Sequence, residues 1–181
     1  MGALKIEDIP QYTYDDYKHW EDRWELINGY PYAMAPMPML KHKQISNKIA
    51  WQLEEILKDC NKCQAYLPVD WKISDDTIVQ PDNSVICHTP QNEAYISKAP
   101  TMIFEILSKS TAKKDLTIKY NLYEKEGVKY YIIINPDDNI AKIYSLLDGR
   151  YIKLCDTTND MIEFVFDKCK NSVNFDFGRI W

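Results

Sequence analysis

Residues 101–107 read Thr-Met-Ile-Phe-Glu-Ile-Leu, an apolar run bounded by Pro100 and a Ser/Thr/Lys cluster, and one carboxylate, Glu105, stands inside it. An apolar run of this length without polar alternation reads as a strand covered on both faces. Ionised carboxylates are rarely buried alone, because leaving water costs on the order of several kcal/mol unless a cation or metal compensates. Glu105 therefore demands a partner. Upstream, Val79-Gln-Pro-Asp82 puts a second carboxylate at the mouth of another apolar run, 84–87. Pro81 has no N–H for a sheet ladder and belongs at an edge or bulge, which interrupts pairing where Asp82 stands; a simple Pro-Asp turn is the alternative use of the dipeptide. Two carboxylates on two neighbouring strands point to a metal site.

The segment after Glu105 is equally legible. Ser110 or Thr111 can cap a helix over 112–126, and Gly127 stops it at the expected position. Asp115 and Lys119 lie four apart and share a face, a pairing that by itself contributes only about 0.3–0.5 kcal/mol. Residues 128–135 form the next apolar run, ended by Pro136. Strand, helix and strand make a βαβ-like unit with a right-handed connection expected.

Earlier in the chain, Thr13 can cap a short helix with Asp15 and Asp16 in its first turn. Asn28-Gly29 then separates two apolar runs as a two-residue hairpin, with Glu25 on its first strand, either facing solvent or serving a site. The 36–38 Pro-Met-Pro stretch breaks that hairpin's second strand. Ile45, Ile49, Leu53, Ile56 and Leu57 recur at helical spacing and predict a helix over 40–58, with His42 near its start as a packing residue or a phosphate or water contact. Residues 63–73 alternate as one strand, Asp75-Asp76 reads as a turn, and 77–87 is a strand pair or one bent strand. A second hairpin signal, Asp148-Gly149, and the runs 161–166 and 173–177 complete a β-rich C-terminal addition. Its aromatics would suit a homodimer surface, with core packing as the default explanation.

The 181 residues fit one domain, 1–181, large enough to bury a substantial core without a covalent staple. A 45% hydrophobic and 13% aromatic content argues against disorder, and no apolar run approaches a membrane span. Residues 1–11 carry Lys5, Glu7 and Asp8 and no unbroken apolar stretch, so no signal peptide is expected and a reducing cytoplasm is the default expectation. Five scattered cysteines do not resemble a disulfide framework and read as free thiols. Cys60-Asn-Lys-Cys63 has zinc-knuckle spacing but no second pair to complete it. The net charge of −5 argues against a wholly basic nucleic-acid clamp and leaves room for a local basic groove.

The ordered set Trp24-Glu25-Leu-Ile-Asn-Gly29, Gln80-Pro-Asp82, Phe104-Glu105-Ile-Leu-Ser108, Asp115-x-x-x-Lys119-x-x-x-Tyr123 and Val128-x-Tyr130-Tyr-Ile-x-x-x-Pro136 resembles the Uma-type (Uma-two) endonucleases. These are a bacterial branch of the restriction-endonuclease-like PD-(D/E)XK superfamily. The resemblance covers about 13–154 and implies an α/β (α+β) fold. Its core would be a mixed β-sheet flanked by helices, here with the N-terminal hairpin and the C-terminal β-rich addition.

In the superfamily pattern an acidic residue and a lysine stand two apart on one strand, with both side chains on the same face. Here the strand reads Glu105-Ile106-Leu107, so the strand lysine is absent, and the resemblance transfers its role to Lys119 on the following helix. It further implies that Asp82, Glu105 and the Ile106 backbone carbonyl hold Mg²⁺ or Mn²⁺, with Glu25 binding the metal directly or through water. Metal and Lys119 would orient and activate water for in-line attack on a DNA phosphodiester, leaving a 5′-phosphate. Lys109, Lys113 and Lys114 would contact phosphates or simply solvate the helix start. His42, Gln80, Asp115 and Tyr123 are secondary candidates. Two other readings accompany this one. The first is an inactive nuclease-fold module that binds nucleic acid or protein; the second is a hydrolase of small phosphoesters with a closed pocket.

Overall fold

A computed structural model describes residues 9–34, 39–88, 94–109, 111–169 and 172–181. The two-residue turn predicted at Asn28-Gly29 joins β1 (Trp24–Ile27) to β2 (Tyr30–Ala33), and both turn residues take the positive φ that such a connection requires. Before it, α1 (Tyr14–Tyr17) is a single turn in which the Asp16 carboxylate accepts from Thr13 N–H at 2.9 Å. The 36–38 strand break lies outside the described residues. The amphipathic run becomes α2 (Leu40–Leu57), burying Ile45, Ile49, Leu53 and Leu57.

The run 63–73 is not one strand. β3 (Gln64–Tyr66) and β4 (Trp71–Ser74) belong to different sheets, because Pro68 and Asp70 interrupt the pairing that the alternation suggested. Likewise β5 (Thr77–Val79) and β6 (Asn83–Ile86) part company at Gln80-Pro81-Asp82, where the chain crosses from one sheet to the other. The resulting four-stranded sheet has the order β2-β1-β5-β4 and is antiparallel throughout.

The central sheet has six strands in the order β10-β9-β8-β7-β6-β3. Its middle pair, β7 (Met102–Ile106) and β8 (Tyr130–Asn135), is parallel and joined by the helical segment, as the βαβ reading requires; every other pairing is antiparallel. β9 (Ile140–Leu147) and β10 (Arg150–Thr157) form the hairpin turned by Asp148 and Gly149, both at positive φ. β11 (Met161–Phe164) and β12 (Val173–Asp176) make a separate two-stranded ribbon.

Side-chain alternation along β7 and β8 divides the core in two. Met102, Phe104, Ile106, Ile132 and Ile134 pack on one face against α2 and the ribbon, while Ile103, Tyr131 and Ile133 pack on the other against Trp71, Tyr123 and Val128. Glu105 points to the second face, between Ile103 and the helical crossover. The C-terminal aromatics are core residues: Phe164, Phe166, Phe175 and Phe177 are all buried, so they do not supply the dimer surface that their abundance suggested. Among the described residues no helix is long and apolar enough to cross a membrane.

The crossover helix is not regular. It begins as α3 (Ala112–Lys114), opens into a π-helical turn over Asp115–Lys119, and resumes as α4 (Tyr120–Lys125), with Gly127 at positive φ just beyond. The expected cap is absent in its usual form, since Thr111 itself takes a helical conformation and its hydroxyl turns to Ser108 Oγ at 3.0 Å. Ser110 lies outside the described residues.

Two cysteine pairs correct the free-thiol reading. Cys60 is joined to Cys169 and Cys63 to Cys87, leaving Cys155 free. Sequence spacing could not reveal this, because the partners come from separate elements that only the sheet order and the ribbon bring together.

Candidate active site

The β6–β7 register sets the site. Asn83 pairs with Phe104, so the residues next outward, Asp82 and Glu105, stand opposite one another at the end of the two strands. Asp82 Oδ2 accepts the Ile106 N–H at 2.8 Å, which ties the loop carboxylate to the Glu105 strand. On its other side His42 Nε2, from the first turn of α2, approaches the same oxygen at 3.2 Å.

Glu105 is almost wholly buried and its Oε1 is held twice, by Lys119 Nζ at 2.8 Å and by Tyr123 O–H at 2.7 Å. Lys119 also reaches Glu25 Oε1 at 2.7 Å and lies 3.7 Å from Asp115 Oδ1. Glu25 is not solvent-facing: its β1 side chain is 0% exposed. It accepts the Gln80 backbone N–H at 2.9 Å on Oε1 and pairs with Lys114 through Oε2. Both Glu25 oxygens are thus taken by cations and a backbone donor. Lys114, read from sequence as a phosphate contact or a solvated residue, is instead a largely buried partner of this glutamate.

The π-helical turn explains why one helix delivers two lysines to one carboxylate. At about 3.6 residues per turn, residues five apart on an α-helix sit roughly 140° apart. Widening the turn to i→i+5 bonding brings residues five apart onto the same face, as Lys114 and Lys119 are here.

Electrostatics follow from burial. Desolvation works to strip the proton from Lys119, but Glu105, Glu25 and Asp115 overcome it and hold the ammonium charged well above the usual lysine range. For Glu105, burial pushes the carboxyl well above its ordinary range; Lys119 opposes this, and the charges of Asp115, Asp82 and Glu25 reinforce it. Glu25 shows the opposite balance, with burial outweighed by Lys119 and Lys114, so that it stays ionised below the ordinary range. Tyr123 is kept a phenol first by burial and then by Glu105, and remains a donor.

Carboxyl groups outnumber cations in this cluster: Glu25, Asp82, Glu105 and Asp115 face Lys114 and Lys119, and that crowding helps to raise Glu105 above the ordinary range. Asp82 Oδ1 and Glu105 Oε2 accept no hydrogen bond from any described residue. Among the described residues no three carboxylate or imidazole groups bring one ligand atom each within 4.8 Å of one another. A cation here would therefore rest on two carboxylates, a backbone carbonyl and water, the sparse oxygen set that suits Mg²⁺ or Mn²⁺.

Of the secondary candidates, Tyr123, Asp115 and His42 all enter the cluster. Gln80 enters only through its backbone, because its side-chain amide donates to Asp70 Oδ1 at 2.6 Å and accepts from Arg23 at 3.2 Å. Lys114 is the residue that sequence reasoning misassigned, and an α-helical wheel gives no signal for it.

Comparison with known proteins agrees with this architecture. The crystal structure of a protein from Anabaena variabilis ATCC 29413, described as a putative nuclease belonging to DUF820, superposes with a TM-score of 0.73 at 19% identity, over 93% of this chain and 96% of that one. No curated protein matches. Residues 13–163 match the family Uma2, described as "Putative restriction endonuclease". With the fold, the Asp82–Glu105 pair and the Lys119 cluster in hand, that match over most of the chain assigns it: the protein belongs to the Uma2 family of restriction-endonuclease-like proteins.

Proposed function

We propose that this protein is a metal-dependent endonuclease that hydrolyses DNA phosphodiester bonds at the Asp82–Glu105 edge. The observation that carries the reading is Lys119: from a helix, it reaches the strand carboxylate Glu105 at 2.8 Å, although the strand itself carries Leu107 where the superfamily has lysine. A lysine turned to solvent would have removed the chemistry.

Asp82, Glu105 and the Ile106 carbonyl would hold the ion. When bound, Mg²⁺ or Mn²⁺ supplies Lewis-acid stabilisation of the phosphoryl charge and a more acidic water. The chain's own residues do the rest. Tyr123 and Lys119 fix Glu105 through Oε1 and leave Oε2 without a donor among the described residues, and the Ile106 N–H fixes Asp82 in the same way through Oδ2. Lys119 keeps its proton, so it acts as a fixed positive charge beside the reacting centre rather than as a base. Glu25, its oxygens occupied by lysines, serves as the anchor for Lys119 and Lys114 rather than as a metal ligand. His42 orients Asp82 at the solvent edge of the site.

The test is calorimetric titration of Mn²⁺ into wild type and Glu105→Gln, followed by nicking of supercoiled plasmid in the same samples. Binding and nicking by wild type, both lost in the variant, are expected. Wild type that binds no Mn²⁺ overturns the mechanism. Binding of metal and DNA without nicking would favour the inactive module, whose one supporting observation is that Lys119 has its contacts filled by carboxylates.

A further inference from the structure

Four of the five cysteines converge on one spot, far from the Asp82–Glu105 edge. Cys60 and Cys63 lie in the turn after α2, Cys87 follows β6, and Cys169 precedes the second ribbon strand. Cys63 Sγ and Cys169 Sγ, which are not bonded to each other, are 3.4 Å apart. The sulfurs of Cys60, Cys63 and Cys169 all lie within 4.8 Å of one another, and Cys87 is bonded to Cys63. We propose that these four cysteines are a structural tetrathiolate site that takes one Zn²⁺ in the reduced protein, the two disulfides being its oxidised form.

The geometry suits the ion. Zinc bound by four thiolates at about 2.3 Å holds neighbouring sulfurs roughly 3.8 Å apart; Cys63 and Cys169 are 3.4 Å apart and Cys60 lies within 4.8 Å of both, while Cys87, further from that trio and tethered to it by its bond to Cys63, completes the set by turning inward once that bond opens. Cys60-x-x-Cys63 supplies the two-residue spacing of a knuckle, and the fold brings the second pair that the sequence alone lacks. Lys58, Lys62 and Lys168 line the cleft beside Cys60 and Cys169, with Asp59 the one acidic residue among them. The three lysines are exposed, and zinc with four thiolates, which carries two net negative charges, would meet a cationic rim there.

The chemistry balances with a reductant of the phosphine class. Each phosphine attacks one disulfide and takes up oxygen from water as the oxide, and the disulfide opens to two thiols. Two phosphines therefore give four thiols, whose four protons are released as Zn²⁺ binds the thiolates. The site then clamps the end of α2, the edge of the central sheet and the C-terminal segment together. It is independent of the nuclease reading: α2 runs from His42 at one end to the cysteine turn at the other, roughly 25 Å at about 1.5 Å per residue.

The full chain, reduced with a phosphine, stripped with chelator and kept anaerobic, is titrated with Co²⁺ as a spectroscopic stand-in for zinc. We expect one Co²⁺ per chain with thiolate-to-cobalt charge-transfer bands and tetrahedral d–d bands, displaced by one equivalent of Zn²⁺, and a rise in melting temperature with Zn²⁺. These bands report sulfur ligands, so a metal at the carboxylates does not imitate them. Cys155→Ser should behave as wild type, while Cys63→Ser and Cys169→Ser should weaken binding by more than about tenfold, the loss that outer-shell changes alone can produce. Reduced wild type without thiolate bands overturns the proposal whatever the variants do. Bands without a rise in melting temperature, or bands that survive both serine variants unchanged, overturn it as well.

Discussion

Lys119 donates to Glu105 Oε1 at 2.8 Å from a helix that begins six residues after the carboxylate's strand ends, and both side chains are almost fully buried. The ammonium is the shared counter-ion of Glu105, Glu25 and Asp115, so its removal leaves buried carboxylates uncompensated. Lys119→Met should destabilise the protein by about 3–5 kcal/mol at neutral pH, the cost typical of breaking a buried pair from one side. Urea unfolding monitored by tryptophan fluorescence measures this. A loss below about 1 kcal/mol, the scale of an exposed pair, would mean that the three carboxylates do not depend on Lys119.

Lys114 shares Glu25 with Lys119 but leaves Glu25 a partner when it is removed. Lys114→Met should therefore cost less, about 1–3 kcal/mol for the lost charged hydrogen bond. The double variant should cost more than the sum of the singles, since only there is Glu25 stripped of both cations. Strict additivity in the same unfolding assay would contradict the shared-anchor arrangement.

Much of this was legible in the sequence, for physical reasons that differ by residue. Glu105 was conspicuous because an unbroken apolar strand makes a lone carboxylate costly, and the Asn28-Gly29 and Asp148-Gly149 turns were visible because few residues tolerate positive φ. Asp82 was visible through Pro81, which cannot pair where the chain changes sheets. Lys114 was not, because helical periodicity assumes a regular turn and the π-helical insertion over Asp115–Lys119 alters the phase. Glu25 was ambiguous because alternation on a four-residue strand does not tell which face is covered. The cysteine cluster was hidden for a topological reason: Cys60 and Cys169 are separated by 109 residues and meet only once the ribbon packs against α2.

Tyr123 donates to the same Glu105 oxygen at 2.7 Å and packs against Trp71 with ring centroids 5.7 Å apart. Tyr123→Phe keeps the packing and removes the donor. Where Glu105 is ionised, at pH above its raised folded-state value, a cost of about 1.5–3 kcal/mol is expected, the range for a hydrogen bond to a charged group. Tyr131→Phe loses a bond to the Asp115 backbone carbonyl instead and should cost about 0.5–1.5 kcal/mol. Equal costs in parallel denaturation curves would argue that Glu105 is not the charged acceptor in the metal-free protein. Weaker Mn²⁺ binding by Tyr123→Phe with unchanged binding by Tyr131→Phe would tie the phenol to the orientation of the carboxylate.

The pH dependence of stability should carry two opposite signatures. Burial first, then the neighbouring carboxylates, raise Glu105 well above the ordinary value of 4.5, so the folded state binds that proton more tightly than the unfolded state. Its contribution is fully present below 4.5 and is lost as pH rises from there through the folded-state value. Glu25 behaves inversely: its lowered value gives stability that is present above 4.5 and lost as pH falls through the folded-state value. In chelator, Glu105→Gln should therefore melt above wild type by a margin that widens as pH rises from about 4.5, because the folded wild type must there hold a proton that the unfolded chain gives up and the variant has none to hold. Saturating Mn²⁺ should reverse the order, since a ligand at 100 times its Kd adds about 2.7 kcal/mol to the form that binds it, and only wild type keeps the carboxylate. Differential scanning fluorimetry from pH 4 to pH 9, with and without Mn²⁺, reads both effects. A margin that stays constant across the range, or an equal Mn²⁺ shift in both proteins, would place Glu105 among structural residues and outside the metal site.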